Sequence, residues 1–227
     1  YILLYRIEVI SMNEKTKLLA GILVFGSLWG FSECIIGPAL GDAGLPSGAI
    51  MTGFFAMIFL TMSRLFYKQR GMQIGMGLVA GSLRFFNPLG GCQVCSAIAI
   101  AAEGLLFELI FNYLSELDLN KMKSLTTKAS LGIFTSYSVY VGGYIITQIL
   151  TPLSFGSFYV ENLISFLPVI LASGLLAALI GGITIPATME LGKIDFKLAD
   201  RFYYPTTLGV SAICWIVVLG TWLTLGA

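Results

Sequence analysis

The stretch LLAGILVFGSLWGFSECIIGPALG, residues 18–41, contains a single charged side chain, Glu33. At about 1.5 Å of rise per residue, a helix of this length crosses roughly 30 Å of hydrocarbon. A carboxyl group in such a helix is costly unless it points into the protein. The stretch therefore predicts a transmembrane helix with an inward-facing carboxyl group.

The rest of the chain has the same character, because 57% of the 227 residues are hydrophobic and only 11% are charged. Soluble domains carry about 25% charged residues. Long apolar runs, in place of short alternating segments, argue against a β-barrel. The sequence predicts a single all-α domain, residues 1–227, a polytopic bundle of about seven spans: 18–41, 47–66, 71–89, 92–114, 129–151, 162–190 and 204–226. The third span contains Arg84 and ends at Asn87 and Pro88, so we expect it to be short or re-entrant.

Basic residues follow an alternating pattern along the chain. They occupy the segment before the first span and the links after the second, fourth and sixth spans: Arg6, Lys15, Lys17, Arg64, Lys68, Arg70, Lys121, Lys123, Lys128, Lys193, Lys197 and Arg201. The positive-inside rule then predicts a cytoplasmic N-terminus and an external C-terminus in a multi-pass protein of the cell membrane. Residues 1–17 form the predicted cytoplasmic segment, with Met12 as the natural start and no cleavable signal peptide.

Two charges are predicted at similar depth near the outer side of the membrane. Glu33 shares a helix face with Gly26 and Gly30, and Arg84 shares one with Gly77 and Gly81, so both charges lie on packing faces. They form either a structural ion pair or the charged contacts of a solute cavity, because intramembrane ionisable groups often mark substrate pathways.

Several polar and aromatic residues are predicted near the same level, and they favour the cavity. Trp29, Asn87 and Gln93, together with Ser32 and Asp42, supply the mixture expected of a small-molecule pocket. Glu103 lies deeper, on the helix face that also carries Cys92, Cys95 and Ala99. The candidate substrate-binding residues are therefore Glu33, Arg84, Trp29, Asn87, Gln93 and Glu103.

Some chemistries are excluded by composition. The chain has no histidine, which excludes Ser-His and Cys-His nucleophiles and most catalytic zinc sites. It has no phosphate-binding G-x-x-x-x-G-K-[ST] motif, so energy for transport must come from partners or an ion gradient. A net charge of +1 gives no indication of nucleic-acid binding. We predict no cofactor and no metal.

The C-x-x-C motif Cys92-Gln-Val-Cys95 supports an alternative function. At a helix start, such a pair suits thiol-disulfide exchange, as in a membrane oxidoreductase that passes electrons from thiols to a quinone. The other two cysteines, Cys34 and Cys214, lie within predicted spans and supply no second external pair. A third possibility is an accessory subunit that docks a larger membrane complex through its small-residue faces.

The first span, with AGILVFGSLWG at residues 20–30, resembles the substrate-binding S components of energy-coupling-factor vitamin transporters. So do the small apolar bundle, the cytoplasmic N-terminus and the outward-level polar pocket. The resemblance implies capture of a vitamin-like solute from outside. It also implies a transmembrane coupling subunit and ATPases, with Gly26 and Gly30 standing where that family places small residues against the coupling subunit.

Overall fold

The computed structural model describes residues 2–87, 89, 92–114, 119, 122, 124–154, 160–192 and 200–225. Within these residues the regular structure is helical, and no strand occurs. The α-helices are α1 (Ile2–Asp42), α2 (Ser47–Ile50), α3 (Met57–Phe66), α4 (Met72–Phe85), α5 (Gln93–Glu108), α6 (Leu125–Ser154), α7 (Val160–Leu191) and α8 (Asp200–Leu225). Two π-helical segments, Met51–Ala56 and Leu109–Leu114, continue α2 into α3 and extend α5.

Six helical stretches of the described chain are long and apolar enough to cross a membrane: Glu14–Asp42, Ser47–Phe66, Gln93–Asn112, Leu125–Thr151, Leu163–Leu191 and Tyr203–Leu225. Their outer faces carry large apolar side chains that no part of the described chain covers, such as Ile183 (75% exposed) and Ile216 (69% exposed). Hydrocarbon is the environment in which such faces are stable. The predicted all-helical fold is therefore confirmed, and the six long apolar helices agree with the predicted membrane location.

Helix α4 occupies the position of the third predicted span. It has 14 residues and is therefore about 21 Å long, shorter than a typical hydrocarbon core. It lies beside α1 and runs in the same direction, since Gly75 contacts Ile22 and, further along both helices, Gly30 lies against Ala80. The prediction of a short third segment agrees with this length.

Chain direction reverses between α4 and α5 and again between α6 and α7. In each pair, residues early in one helix lie against residues late in the other: Gln73 against Gly104, Gly81 against Ala97, Gly132 against Gly181, and Tyr137 against Gly174. Helix α8 runs parallel to α1, because Trp215 Nε1 donates to Ser27 Oγ (3.2 Å) while Tyr203 lies near Lys17. Successive segments therefore alternate in direction.

Close approach of α1, α4 and α5 depends on glycine. A Cβ atom on Gly26 would lie 2.9 Å from Met76 O, and one on Gly81 would lie 2.7 Å from Ala97 O. These distances are shorter than real Cβ contacts, so only glycine permits the observed separation of the helices. The largest core cluster lies beside these contacts and includes Trp29, Met57, Met76, Phe107 and Phe111.

The segments that carry the basic residues lie together at one end of the bundle. The Tyr203 hydroxyl donates to Lys17 O (3.3 Å) and hydrogen-bonds the Tyr67 hydroxyl, which joins the starts of the α8 and α1 spans to the end of α3. At the same end, Arg64 Nη2 donates to Phe111 O (3.5 Å). The helix ends that carry Lys15, Lys17, Arg64, Lys68 and Arg70 are therefore neighbours.

An ion pair links the start of α6 to the end of α7, at the basic end of the bundle. Lys128 Nζ lies 2.6 Å from Glu190 Oε1, and the Lys128 side chain is buried. A buried ammonium group needs such a partner. Of the remaining predicted basic positions, Arg6 and Arg201 lie in α1 and α8, and Lys121, Lys123, Lys193 and Lys197 lie outside the described residues.

The side chain of Glu108 caps the start of α4. Its Oε2 accepts hydrogen bonds from the backbone N–H groups of Gln73 (3.1 Å) and Ile74 (3.0 Å), and its Oε1 accepts from Gly71 N. Gly71 has φ +87°, a left-handed conformation that favours glycine. The buried carboxylate thus satisfies backbone donors that a helix start leaves unpaired.

Candidate functional site

A cavity of about 410 Å³ lies in the half of the bundle away from the basic end. Residues of α1, α2, the π-helical segment Met51–Ala56, α4, α5 and α6 line it. Gly41 and Asp42, at the end of α1, are exposed, so the cavity opens at the connection between α1 and α2. The volume is in the range of small-molecule sites.

Glu33 lines the cavity from α1. Its Oε1 accepts a hydrogen bond from Trp29 Nε1 (3.3 Å), one helical turn earlier. Trp29 is fully buried and does not line the cavity; it orients the carboxyl group from behind. Both Arg84 and Glu103 lie within electrostatic range of Glu33.

Arg84 lines the same cavity from the last turn of α4. Its side chain is 7% exposed, and its Nη1 donates to Leu89 O (2.8 Å). This bond holds the guanidinium at the end of α4, beside the cavity. The two charges predicted at similar depth therefore share one cavity, although they come from different helices.

Glu103 lines the cavity from α5, deeper than Cys95 and Ala99, which line it from the same helix face. Its Oε1 accepts a hydrogen bond from Thr52 Oγ1 (2.6 Å), and its Oε2 is buried with no hydrogen-bond partner in the described part of the chain. Thr52 belongs to the π-helical segment Met51–Ala56. Such segments are frequent at functional sites, because the wider turn changes which side chains face inward.

Asn87 and Gln93 lie outside the cavity lining. Asn87 is buried, and its Nδ2 donates to Cys34 O (2.9 Å), so it joins the end of α4 to α1. Gln93 is the first residue of α5 and is half-buried. The structure thus brings together Glu33, Arg84 and Glu103 of the six candidates, with Trp29 behind Glu33.

One wall of the cavity consists of residues that were not predicted from the sequence. Tyr144, Thr147 and Gln148 line it from α6. Their spacing of three and four residues places them on one helix face, which is a detectable signal once α6 is known to pack on α5. Thr52 gave no such signal, because a lone threonine in an apolar span is common.

Cys92 and Cys95 form a disulfide at the start of α5. Cys92 is exposed, and its Sγ accepts a hydrogen bond from Cys95 N (3.1 Å) as the helix cap, while Cys95 lines the cavity. Cys34 and Cys214 are free and buried. The disulfide therefore borders the cavity.

Three carboxyl groups, a guanidinium, hydroxyls and an amide thus surround a space open at one end. They offer acceptors and donors for a polar solute and no nucleophile–base pair of the Ser-His or Cys-His kind. Within the described residues no group of three or more Cys, Asp or Glu side chains has an arrangement that could hold a metal ion.

Comparison with known proteins gives no relative: no family model matches the chain, and neither the curated proteins nor the solved structures contain a match.

Proposed function

We propose that this chain is a membrane solute-binding or transport subunit, which takes up a small polar or vitamin-like metabolite through the cavity described above. Glu33, Arg84 and Glu103 are its charged contacts. The observation that carries the proposal is that these three charged residues, which come from three different helices, line one open cavity. A purely structural ion pair needs close packing, whereas these groups border a space of small-molecule size.

The proposed topology has seven crossings in the cell membrane, with the basic end in the cytoplasm. The alternating helix directions support it, as does the convergence of basic segments at one end. The short helix α4 serves as the third crossing, surrounded by α1 and α5. The cavity then opens to the outside, as uptake requires.

The proposed partner is a transmembrane coupling subunit with its ATPases, because this chain has no phosphate-binding motif of its own. Contact through Gly26 and Gly30 does not fit the packing, since both glycines are buried against α4. A partner that touched them would have to displace α4. The exposed apolar faces of α7 and α8 are available without such a displacement.

The test is native mass spectrometry of the protein extracted gently from its own host, recording retained metabolites and partner subunits together. Retention of a metabolite is expected, and Glu33→Gln and Arg84→Ala should each weaken its binding roughly tenfold to hundredfold, because hydrogen bonds to charged groups contribute about 1.5–3 kcal/mol. Glu14→Gln, an exposed carboxylate away from the cavity, is the control. A bare chain, or affinities unchanged in both cavity variants, would contradict the proposal.

The Cys92–Cys95 disulfide favours a second candidate function, a membrane thiol-disulfide oxidoreductase. A substrate dithiol would be oxidised to a disulfide as the Cys92–Cys95 pair is reduced to two thiols, which a quinone would reoxidise. Under this function Cys95→Ser should abolish activity and trap a mixed disulfide between substrate and Cys92, detectable on non-reducing gels. Full thiol-oxidase activity in the double serine variant would exclude it.

A further inference from the structure

The charges that line the cavity do not balance. Among the described residues that line it, three are acidic, Glu33, Asp42 and Glu103, and one is basic, Arg84. Arg84 is already engaged, since its Nη1 donates to Leu89 O (2.8 Å) and its charge acts on Glu33. A cationic solute would find carboxyl partners in this lining, whereas an anionic solute would find a single basic partner, which is already engaged.

Glu103 is the residue that would bind a cationic group. It is 4% exposed, and it is the last cavity residue along α5, about 15 Å beyond the helix start. Thr52 donates to Oε1, but Oε2 has no hydrogen-bond partner among the residues that the structure describes. A buried carboxylate oxygen without a donor costs free energy that a bound donor would recover.

We propose that the solute carries a protonated nitrogen group, an ammonium, amidinium or guanidinium, and that Glu103 receives this group at the inner end of the cavity. The inference rests on the proposed function and narrows its substrate class. Such a group supplies both the positive charge that the lining lacks and the N–H donor that Oε2 lacks. Tyr144, on the adjoining wall, adds an aromatic ring, a side chain that attracts cations.

The test measures the electrostatics of the cavity without knowledge of the solute. In the full chain, Cys34 and Cys214 are replaced by alanine, and Cys92 and Cys95 by serine. Ala99→Cys, one turn from Glu103, is then the only thiol. Its reaction rates with an ethylammonium and an ethylsulfonate methanethiosulfonate are each divided by the rate with a small free thiol.

We expect the cationic reagent to be favoured about tenfold or more, as in clefts lined by one sign of charge. Glu103→Gln should reduce this preference at least about threefold, because a unit charge one turn away is removed at low dielectric. Glu14→Gln should leave it unchanged. Equal rates, a preference for the anionic reagent, or a preference that survives Glu103→Gln would overturn the inference. A thiol that reacts with neither reagent would overturn it as well, since the cavity would then be closed.

Native mass spectrometry separates this inference from the proposed function. Retention of an anionic or uncharged metabolite would overturn the inference and leave the proposed function standing. A cation-selective cavity in a chain that retains no metabolite would overturn the proposed function alone.

Discussion

Replacement of Gly30 by leucine is expected to destabilise the helix bundle strongly. A Cβ atom at this position would lie 2.8 Å from Ala80 Cα and 2.9 Å from Ala80 O, both backbone atoms of α4. Side-chain rotation cannot relieve a clash with backbone, so α1 and α4 must separate. We expect a loss of about 3 kcal/mol, at the upper end of the range for overpacked sites. The midpoint of thermal unfolding in detergent measures it.

Gly220→Leu provides the matched control for this substitution. Gly220 also lies in a transmembrane helix, but nothing lies within 4 Å of a Cβ atom there. The added side chain would therefore contact lipid, and we expect an unfolding midpoint equal to that of the unsubstituted chain. Equal midpoints for Gly30→Leu and Gly220→Leu would show that the packing of α1 on α4 described here is wrong.

Gly37→Leu is expected to abolish retention of the solute while leaving the protein folded. Gly37 lines the cavity, and its Cβ would have room, lying 3.8 Å from Met51 Cγ and 3.9 Å from Glu33 Oε2. A leucine side chain would extend into the space that the solute needs, so we expect at least about a hundredfold weaker binding, equivalent to roughly 2.8 kcal/mol. Occupancy of the retained metabolite in native mass spectra measures the loss.

The proline that follows Gly37 does not prevent this substitution. Bulky residues precede a proline inside helices at three other places in the chain, Leu167, Ile185 and Tyr204. Gly209→Leu, on the open face of α8, is the control for the added apolar volume. Solute retention that persists in Gly37→Leu would place the binding site elsewhere in the molecule.

Membrane class and the main charged residues of the site could be predicted from sequence because each depends on a strong local signal. Long uncharged runs indicate spans, and a charge inside such a run must face inward, which is why Glu33, Arg84 and Glu103 all line the cavity. Asn87 and Gln93 were assigned to the same pocket by depth alone. The depth of a residue in the membrane does not determine which way its side chain points around the helix axis. The Asn87 side chain donates to Cys34 O and does not face the cavity.

Features that depend on contacts between residues far apart in the sequence could not be predicted. The α6 wall of the cavity follows from the packing of α6 on α5, and the Thr52–Glu103 hydrogen bond joins residues 51 positions apart. The carboxylate of Glu108 accepts hydrogen bonds from the first backbone N–H groups of α4, a role that neither composition nor charge pattern indicates.

The Cys92–Cys95 disulfide also constrains which compartment each end of the bundle faces. Its Cys92 is exposed at the end opposite the basic residues. Glutathione and thioredoxin keep accessible cysteine pairs reduced in the cytosol, whereas such pairs persist oxidised outside it. We therefore expect an exposed, oxidised pair on the non-cytoplasmic side, which is the side that the distribution of lysine and arginine predicts for it. Redox poise and charge asymmetry are independent physical signals, and they support the same orientation.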